Sequence, residues 1–237
     1  MNIAILLAGG IGNRMKEQSV PKQYISVQEC PVFIYPALTF QKNPFIDCII
    51  IVADTSWHGF IDQYLESYQI SKFRGYALPG KTRQYSIFNG LNLAEKYATE
   101  NDIVIIHDAA RPLVSDKIIN ECIETAGKYG ASMPVLPMKD TVYLSNDQRK
   151  ITQLLNRNEV YAGQAPEAFR LKEYLSIHKS IPYQEIEKFS GSSEIAFLNN
   201  IEVHFVDGDE MNFKITTNED LEKFRTLLGM REENVGL

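Results

Sequence analysis

A chain of 237 residues, 44% apolar and 23% charged, has the size and balance of one globular domain built on a sizeable core, the whole of 1–237. Its formal net charge of -6 excludes a general nucleic-acid binder, which would carry a basic excess, so any bound polyanion must meet a local cluster of cations. Three cysteines, Cys30, Cys48 and Cys122, are odd in number and lack paired spacing; they exclude a disulfide framework and a zinc site, and predict a cytoplasmic address.

Short apolar, β-branched runs recur along the chain at 2–7, 48–53, 75–78, 103–107 and 132–135, the pattern of strands buried on both faces. Between them lie amphipathic stretches that predict helices at 32–41, 57–68, 83–97 and 116–129. Ser115 is placed to cap the last of these and Gly130 to end it. Alternating strands and helices imply right-handed crossovers, hence an α/β fold with a mostly parallel sheet flanked by helices. Residues 139–156 break the rhythm: two alternating runs around the polar turn 145–149 predict a hairpin that projects from the sheet and could meet a second subunit. No run approaches the roughly 18 apolar residues of a membrane span, and the N-terminus lacks the cationic start of a signal peptide, so no membrane partner is expected. Only the tail after Met230 reads as loose.

The first strand runs into LLAGGIGNRM and then PKQY. In an open parallel sheet ligands gather at the carboxyl ends of the strands, and glycines there let backbone N–H groups approach phosphate closely. The spacing matches neither the GxGxxG fingerprint nor the GxxxxGK[ST] P-loop. With Arg14 and Lys22 beside it, the loop can wrap a triphosphate and neutralise charge as a phosphoryl bond breaks; a tight strand–helix turn with solvated charges is the plain alternative. PGKTRQYSIFNGL repeats the theme of glycine, cation and hydroxyl after a strand, so that its backbone and Ser86 could meet a base or sugar, although Thr82 also reads as a simple helix cap. HDAARP places Asp108 where a buried strand runs out, a position for a carboxylate that holds Mg²⁺ beside phosphates or merely stabilises a turn. Trp57 reads as a packing residue, and His58, His107, His178 and His204 as structural or solvated.

LLAGGIGNRM with PKQY, GKTRQYSIFNG, HDAARP, KDT, NRN and NFKITTNEDL together resemble, in order and over about residues 1–230, the cytidylyltransferases that make CDP-activated polyols. Two branches of that family act on 2-C-methyl-D-erythritol 4-phosphate and on D-ribitol 5-phosphate. The resemblance implies a single nucleotidyltransferase domain that takes CTP and a polyol phosphate with Mg²⁺ as cofactor. Arg14, Lys22 and Lys214 match its catalytic cations. Leu7, Ala8, Gly9, Gly10 and Gly12 match the loop around the triphosphate, with Gly80, Arg83, Ser86 and Ala109 completing the nucleotide site. Asp108 matches the metal ligand, and Arg111, Thr141, Arg157 and Ser190 match the surroundings of the acceptor. It also implies a homodimer in which the arm carrying Thr141 and Arg157 is exchanged between subunits.

The chain departs from the family pattern at Pro79-Gly80, where relatives have two glycines, and at Lys81, often acidic there. It departs again at Ala165-Pro166-Glu167, in place of Thr-Pro-Gln, and in FSGSSEIAF. Gly9-Gly10 and NRNEVYAGQ look more like the ribitol-phosphate branch, with the methylerythritol reaction as the alternative. Two other classes are a nucleotide-sugar transferase, which would need an Asp-x-Asp that HDAA does not supply, and a non-catalytic nucleotide-binding protein with a decayed acceptor pocket, which intact Arg14, Lys22, Asp108 and Lys214 speak against.

Overall fold

The computed structural model describes residues 1–10 and 20–235. In chain order the first half consists of β1 (Asn2–Leu7), the short hairpin β2 (Ser26–Val27) and β3 (Cys30–Pro31), α1 (Ile34–Lys42), β4 (Cys48–Val52), α2 (His58–Ser67), β5 (Phe73–Ala77), α3 (Arg83–Ala94), β6 (Ile103–Asp108) and α4 (Asp116–Tyr129). The second half continues with β7 (Ala131–Pro137), β8 (Val142–Leu144), β9 (Gln153–Leu155), β10 (Tyr161–Gly163), β11 (Glu167–Arg170), α5 (Leu171–Ser180), α6 (Tyr183–Ile186), α7 (Ser192–Leu198), β12 (Val203–Asp207) and α8 (Asn218–Val235). Short 3-10 turns at Lys22–Tyr24, Thr55–Trp57 and Arg157–Glu159 complete the outline.

The strands β6, β1, β4 and β5 pair side by side and in parallel. Strand β11 runs antiparallel between β6 and the start of β7; β10 pairs antiparallel with the end of β7, and β12 lies parallel along its other edge. The sheet is therefore mixed but mostly parallel.

Alternation along the strands divides the core in two. Ala4, Leu6, Ile49, Ile51 and Ile105 pack on one face against Phe40 of α1, Ile61 of α2 and Ile119 of α4. Ile3, Ile5, Ile50, Val104 and Ile106 pack on the other against Leu91 of α3, Tyr174 of α5 and Ile195 of α7. Each fully buried side chain of this size contributes about 1.5–3 kcal/mol, which explains why the strands read as unbroken apolar runs. A third cluster seats Leu221, Phe224 and Leu228 of α8 on Val27 of the small hairpin and on Val32, which follows it. All three cysteines are buried and unpaired; burial raises the thiol pKa of each, to about 11 for Cys48 and about 12 for Cys122.

Helix ends follow local chemistry. Thr82 Oγ1 accepts from Tyr85 N at 3.3 Å and Ser115 Oγ from Ile118 N at 3.4 Å, while Gly130, at φ 105°, ends α4 in a conformation only glycine adopts freely. Helix α3 lies unusually close to the sheet, because a Cβ on Gly90 would stand 2.8 Å from Ile5 Cγ2 and 3.3 Å from Val52 Cγ2.

Strands β8 and β9 form a separate two-stranded hairpin. Tyr143 is 55% exposed, Ile151 63% and Leu154 62%, so within one chain the hairpin offers apolar surface to solvent.

Gly90→Val should cost about 1–3 kcal/mol by overpacking this interface; an unchanged urea midpoint would refute the close approach. His178 of α5 is buried against Phe88 and Tyr174 with neither ring nitrogen hydrogen-bonded, and desolvation pulls its pKa down to about 4. An unfolded histidine takes a proton near pH 6.5 that this one refuses, so it withdraws stability as pH falls from about 6.5 towards 4. His178→Phe should therefore flatten the dependence of the urea midpoint on pH between 7 and 5, and parallel profiles for the two proteins would refute the assignment.

Candidate active site

The four parallel strands end level with one another: Leu7 is in register with both Val52 and Asp108, and Val52 with Ala77. Ala8 N donates to Val52 O at 2.9 Å, Ala53 N to Ala77 O at 3.1 Å and Ala109 N to Leu7 O at 3.1 Å, carrying the ladder one residue further. Four loops thus open at a single carboxyl edge, around a cavity of about 830 Å³.

Leu7, Ala8, Gly9 and Gly10 form one wall of it and Gly80, Arg83 and Ser86 another. Gly12 and Arg14 lie outside the described residues. A Cβ on Gly9 would be 2.5 Å from Pro79 Cβ, so with proline at 79 only glycine fits at 9 without a shift of that ring. Gly80 is equally constrained, since a Cβ there would be 2.0 Å from Tyr85 Cβ.

The PKQY segment explains how the glycine loop is held. Gln23, buried, donates from Nε2 to Ala8 O at 2.6 Å and to Gly10 O at 2.8 Å; Tyr24 Oη donates to Ala8 O at 2.9 Å. Tied down by their carbonyls, these residues are pre-organised for a ligand without further ordering cost. Lys22 lines the cavity beside them. Trp57 stacks on Tyr24 with ring centroids 4.2 Å apart and forms part of the same wall, so it is both a packing residue and a cavity residue.

Two expectations change in detail. Ser86 Oγ accepts from Gly80 N and donates to Thr82 O, each at 3.0 Å, so the hydroxyl first serves the loop and keeps one acceptor lone pair. Ala109 is fully buried in the core, and the next residue, Ala110, lines the cavity, because the ladder bond to Leu7 O turns Ala109 inward.

Asp108, 8% exposed, closes β6. Its carboxylate receives Lys214 Nζ at 2.9 Å and Arg83 Nε at 3.4 Å, and lies 3.6 Å from Arg111 Nε. Burial opposes its ionisation, but the attraction of Arg83, Lys214 and Arg111 outweighs that and holds the carboxyl well below the usual carboxylate range. Lys214 reaches the site from the β12–α8 connection, anchored by Ile215 N donating to Ala110 O at 2.8 Å. Arg111 is fixed by Nη1 donating to Asn212 O at 2.7 Å. His107 is buried, its ring 3.0 Å from Arg111 O through Nε2, and burial lowers its pKa to about 4, so it is a neutral structural residue.

A second cavity of about 300 Å³ adjoins the first, and Arg83, Asp108 and Lys214 line both. Arg111 and Ser190 line the second, together with Gln164 and Glu167 of the GQAPEAF segment, whose departure from the family pattern thus falls in the site. Ser190 is held by Glu194, whose Oε2 accepts from Ser190 N at 2.8 Å and Oγ at 3.0 Å. Thr141 and Arg157 line neither cavity; Arg157 Nη1 instead donates to Lys139 O at 3.0 Å beside the β8–β9 hairpin.

Comparison with known proteins identifies the family. The family model described as IspD: 2-C-methyl-D-erythritol 4-phosphate cytidylyltransferase matches residues 2–229. A ribitol-5-phosphate cytidylyltransferase of Streptococcus agalactiae serotype Ia is 34% identical over 98% of this chain and 97% of its own. A 2-C-methyl-D-erythritol 4-phosphate cytidylyltransferase of Clostridium novyi is 33% identical over 96% of each. Among solved structures, the 4-diphosphocytidyl-2C-methyl-D-erythritol synthase of Anaerococcus prevotii superposes with a TM-score of 0.80 at 28% identity, covering 96% of both chains. A family model that spans residues 2–229 and relatives above 30% identity that match from end to end show that the chain belongs to the IspD cytidylyltransferase family.

Proposed function

We propose that this cytidylyltransferase transfers the CMP moiety of CTP to D-ribitol 5-phosphate, releasing pyrophosphate and CDP-ribitol. The observation that carries the reading is the junction of two cavities at Arg83, Asp108 and Lys214. The larger, over the glycine loop, is the right kind of site for a nucleotide triphosphate, and the smaller, flanked by Arg111 and Ser190, for a polyol phosphate. The ribitol acceptor is supported by the relatives named for that activity, which match along nearly their full length, and by Gly9-Gly10 and NRNEVYAGQ, which resemble that branch. Transfer to 2-C-methyl-D-erythritol 4-phosphate is the second reading, supported by the family description and the clostridial relative.

In the reaction an oxygen of the acceptor phosphate attacks the α-phosphorus of CTP in line. A new P–O bond forms, the bond from the α-phosphorus to the bridging oxygen breaks, and pyrophosphate leaves with its electron pair. No protein nucleophile takes part. The acceptor phosphate, with a second pKa of about 6, is already largely ionised at neutral pH, so a general base has little to contribute. The obstacle is repulsion between two anions. Proximity supplies roughly 7–11 kcal/mol, and each aimed cation about 3 kcal/mol more. Lys22 and Arg14 act on the CTP phosphates, and Lys214 at the α-phosphate where the anions meet. Leu7, Ala8, Gly9, Gly10 and Gly12 surround the triphosphate, with Gly80, Arg83 and Ser86 around the nucleoside.

Among the described residues no three ligating side chains cluster as in an all-protein metal cage. One ionised carboxylate does fit Mg²⁺, which binds nucleotides through one or two carboxylates together with phosphates and water. Asp108 would hold it, and the ion would supply neutralising charge to the phosphates. Thr141 and Arg157 would reach the acceptor of a second copy if the β8–β9 arm is exchanged in a homodimer, a reading supported by the arm's exposed apolar residues. No helix among the described residues is long and apolar enough to cross a membrane, and a cytoplasmic setting suits three unpaired thiols.

Pyrophosphate release measured with CTP and Mg²⁺ should require D-ribitol 5-phosphate and exceed the rate with 2-C-methyl-D-erythritol 4-phosphate. Faster release with the latter would favour the second reading, and release independent of any polyol phosphate would overturn both. Lys22→Ala and Lys214→Ala should each lower turnover about a hundredfold with the fold retained; near-normal turnover would remove those residues from the chemistry. Mixed dimers of Lys22→Ala and Arg157→Ala subunits should regain activity that neither variant has alone, whereas no recovery would argue against an exchanged arm.

A further inference from the structure

Glu167 is a buried charge of the smaller cavity, at the position that the family resemblance matches to a glutamine. It opens β11, opposite Ile106 of β6, and is 6% exposed. Its Oε2 accepts from Arg83 Nη2 at 3.2 Å, and its Oε1 accepts from both Ser193 N and Ser193 Oγ at 2.8 Å. Arg83 Nη1 in turn donates to Ser192 Oγ at 2.9 Å. These contacts close a ring from the start of α3 through β11 to the first turn of α7, directly behind Ser190 and Gly191, which form the rim of the smaller cavity.

Arg83 thus commits three of its five N–H donors to the protein and keeps two for the cavities it lines. Its Nε, Nη1 and Nη2 go to Asp108, Ser192 and Glu167, so the guanidinium serves as a hub joining the edge of the nucleotide cavity to the acceptor rim. A carboxylate is the side chain suited to the third position, because two acceptor oxygens meet donors on three atoms and one of these is cationic. A glutamine has a single acceptor oxygen and would turn its own N–H groups towards a guanidinium or an amide donor. Hydrogen bonds to charged groups are also the stronger kind.

We propose that Glu167 is a positioning residue for the acceptor: acting through Arg83 and Ser193, it locks the 190–193 rim against Asp108 and so sets the affinity for the polyol phosphate without contacting the nucleotide. This rests on reading the smaller cavity as the acceptor site.

The test compares the full-length wild type with Glu167→Gln and Ser193→Ala. It measures pyrophosphate release against D-ribitol 5-phosphate concentration, CTP binding by calorimetry without acceptor, and amide hydrogen exchange over residues 83–94 and 190–193. Glu167→Gln should raise the acceptor KM about tenfold and leave the CTP Kd within about twofold. It should also speed exchange at 190–193 while α3 stays protected. Ser193→Ala, which removes one contact and strands no charge, should shift the acceptor KM in the same direction by a smaller factor, and it carries the test if Glu167→Gln fails to fold. An unchanged acceptor KM, or a CTP Kd weakened by the same factor, would overturn the proposal. Failure of the wild type to use any polyol phosphate would sink the acceptor reading by itself. Exchange would then still decide the mechanical part, unaltered protection at 190–193 refuting it and faster exchange supporting it.

Discussion

One buried carboxylate holds the candidate active site together. Asp108 ends the strand at the middle of the sheet, and the three cations around it come from separate parts of the chain: Arg83 from the start of α3, Arg111 from the β6–α4 loop and Lys214 from the β12–α8 connection. Without a shared counter-charge these groups would repel one another in a poorly solvated space. Breaking a buried ion pair by removing one partner costs about 3–5 kcal/mol, because the remaining charge is stranded. Asp108 therefore fixes where the cations stand before any substrate arrives. A site that works by bringing two anions together needs that arrangement in advance, since reorganising charges during the reaction would consume the stabilisation they provide.

The glycine loop illustrates the same economy on the backbone. Its carbonyls at Ala8 and Gly10 are already satisfied by Gln23 and Tyr24. The neighbouring Pro79 leaves no room for a side chain on Gly9. Loop, PKQY turn and Pro79 are a single packed unit contributed by three separate stretches of chain.

Much of the fold is legible in the sequence where local signals suffice. Strands β1, β4 and β6 declare themselves by continuous apolar runs, and α4 occurs at 116–129 as predicted, because Ser115 and Gly130 mark its two ends. Helix α1 begins at Ile34 rather than 32 and α3 stops at Ala94 rather than 97, element ends being set by tertiary contacts. Strand β5 covers Phe73–Ala77 instead of 75–78, since pairing with β4, not composition, chooses its register. Short β11 and β12 are not legible in the sequence: four or five residues carry too little periodicity to separate strand from loop until β7 is there to pair with. The site divides along the same line. Glycines, Lys22 and Asp108 stand in compact motifs, whereas the bonds from Lys214 to Asp108 and from Arg83 to Glu167 join residues 106 and 84 positions apart. Gln23 was within sight in PKQY, but its role follows only from the carbonyls it reaches.

The three sulfhydryls have a practical corollary. Each sits inside the core with its ionisation suppressed, and only the thiolate is strongly nucleophilic. Maleimide dyes and spin labels attached to a newly introduced surface cysteine will therefore report from that position alone, so distance measurements on the β8–β9 arm can be made without first stripping the native sulfur from the protein.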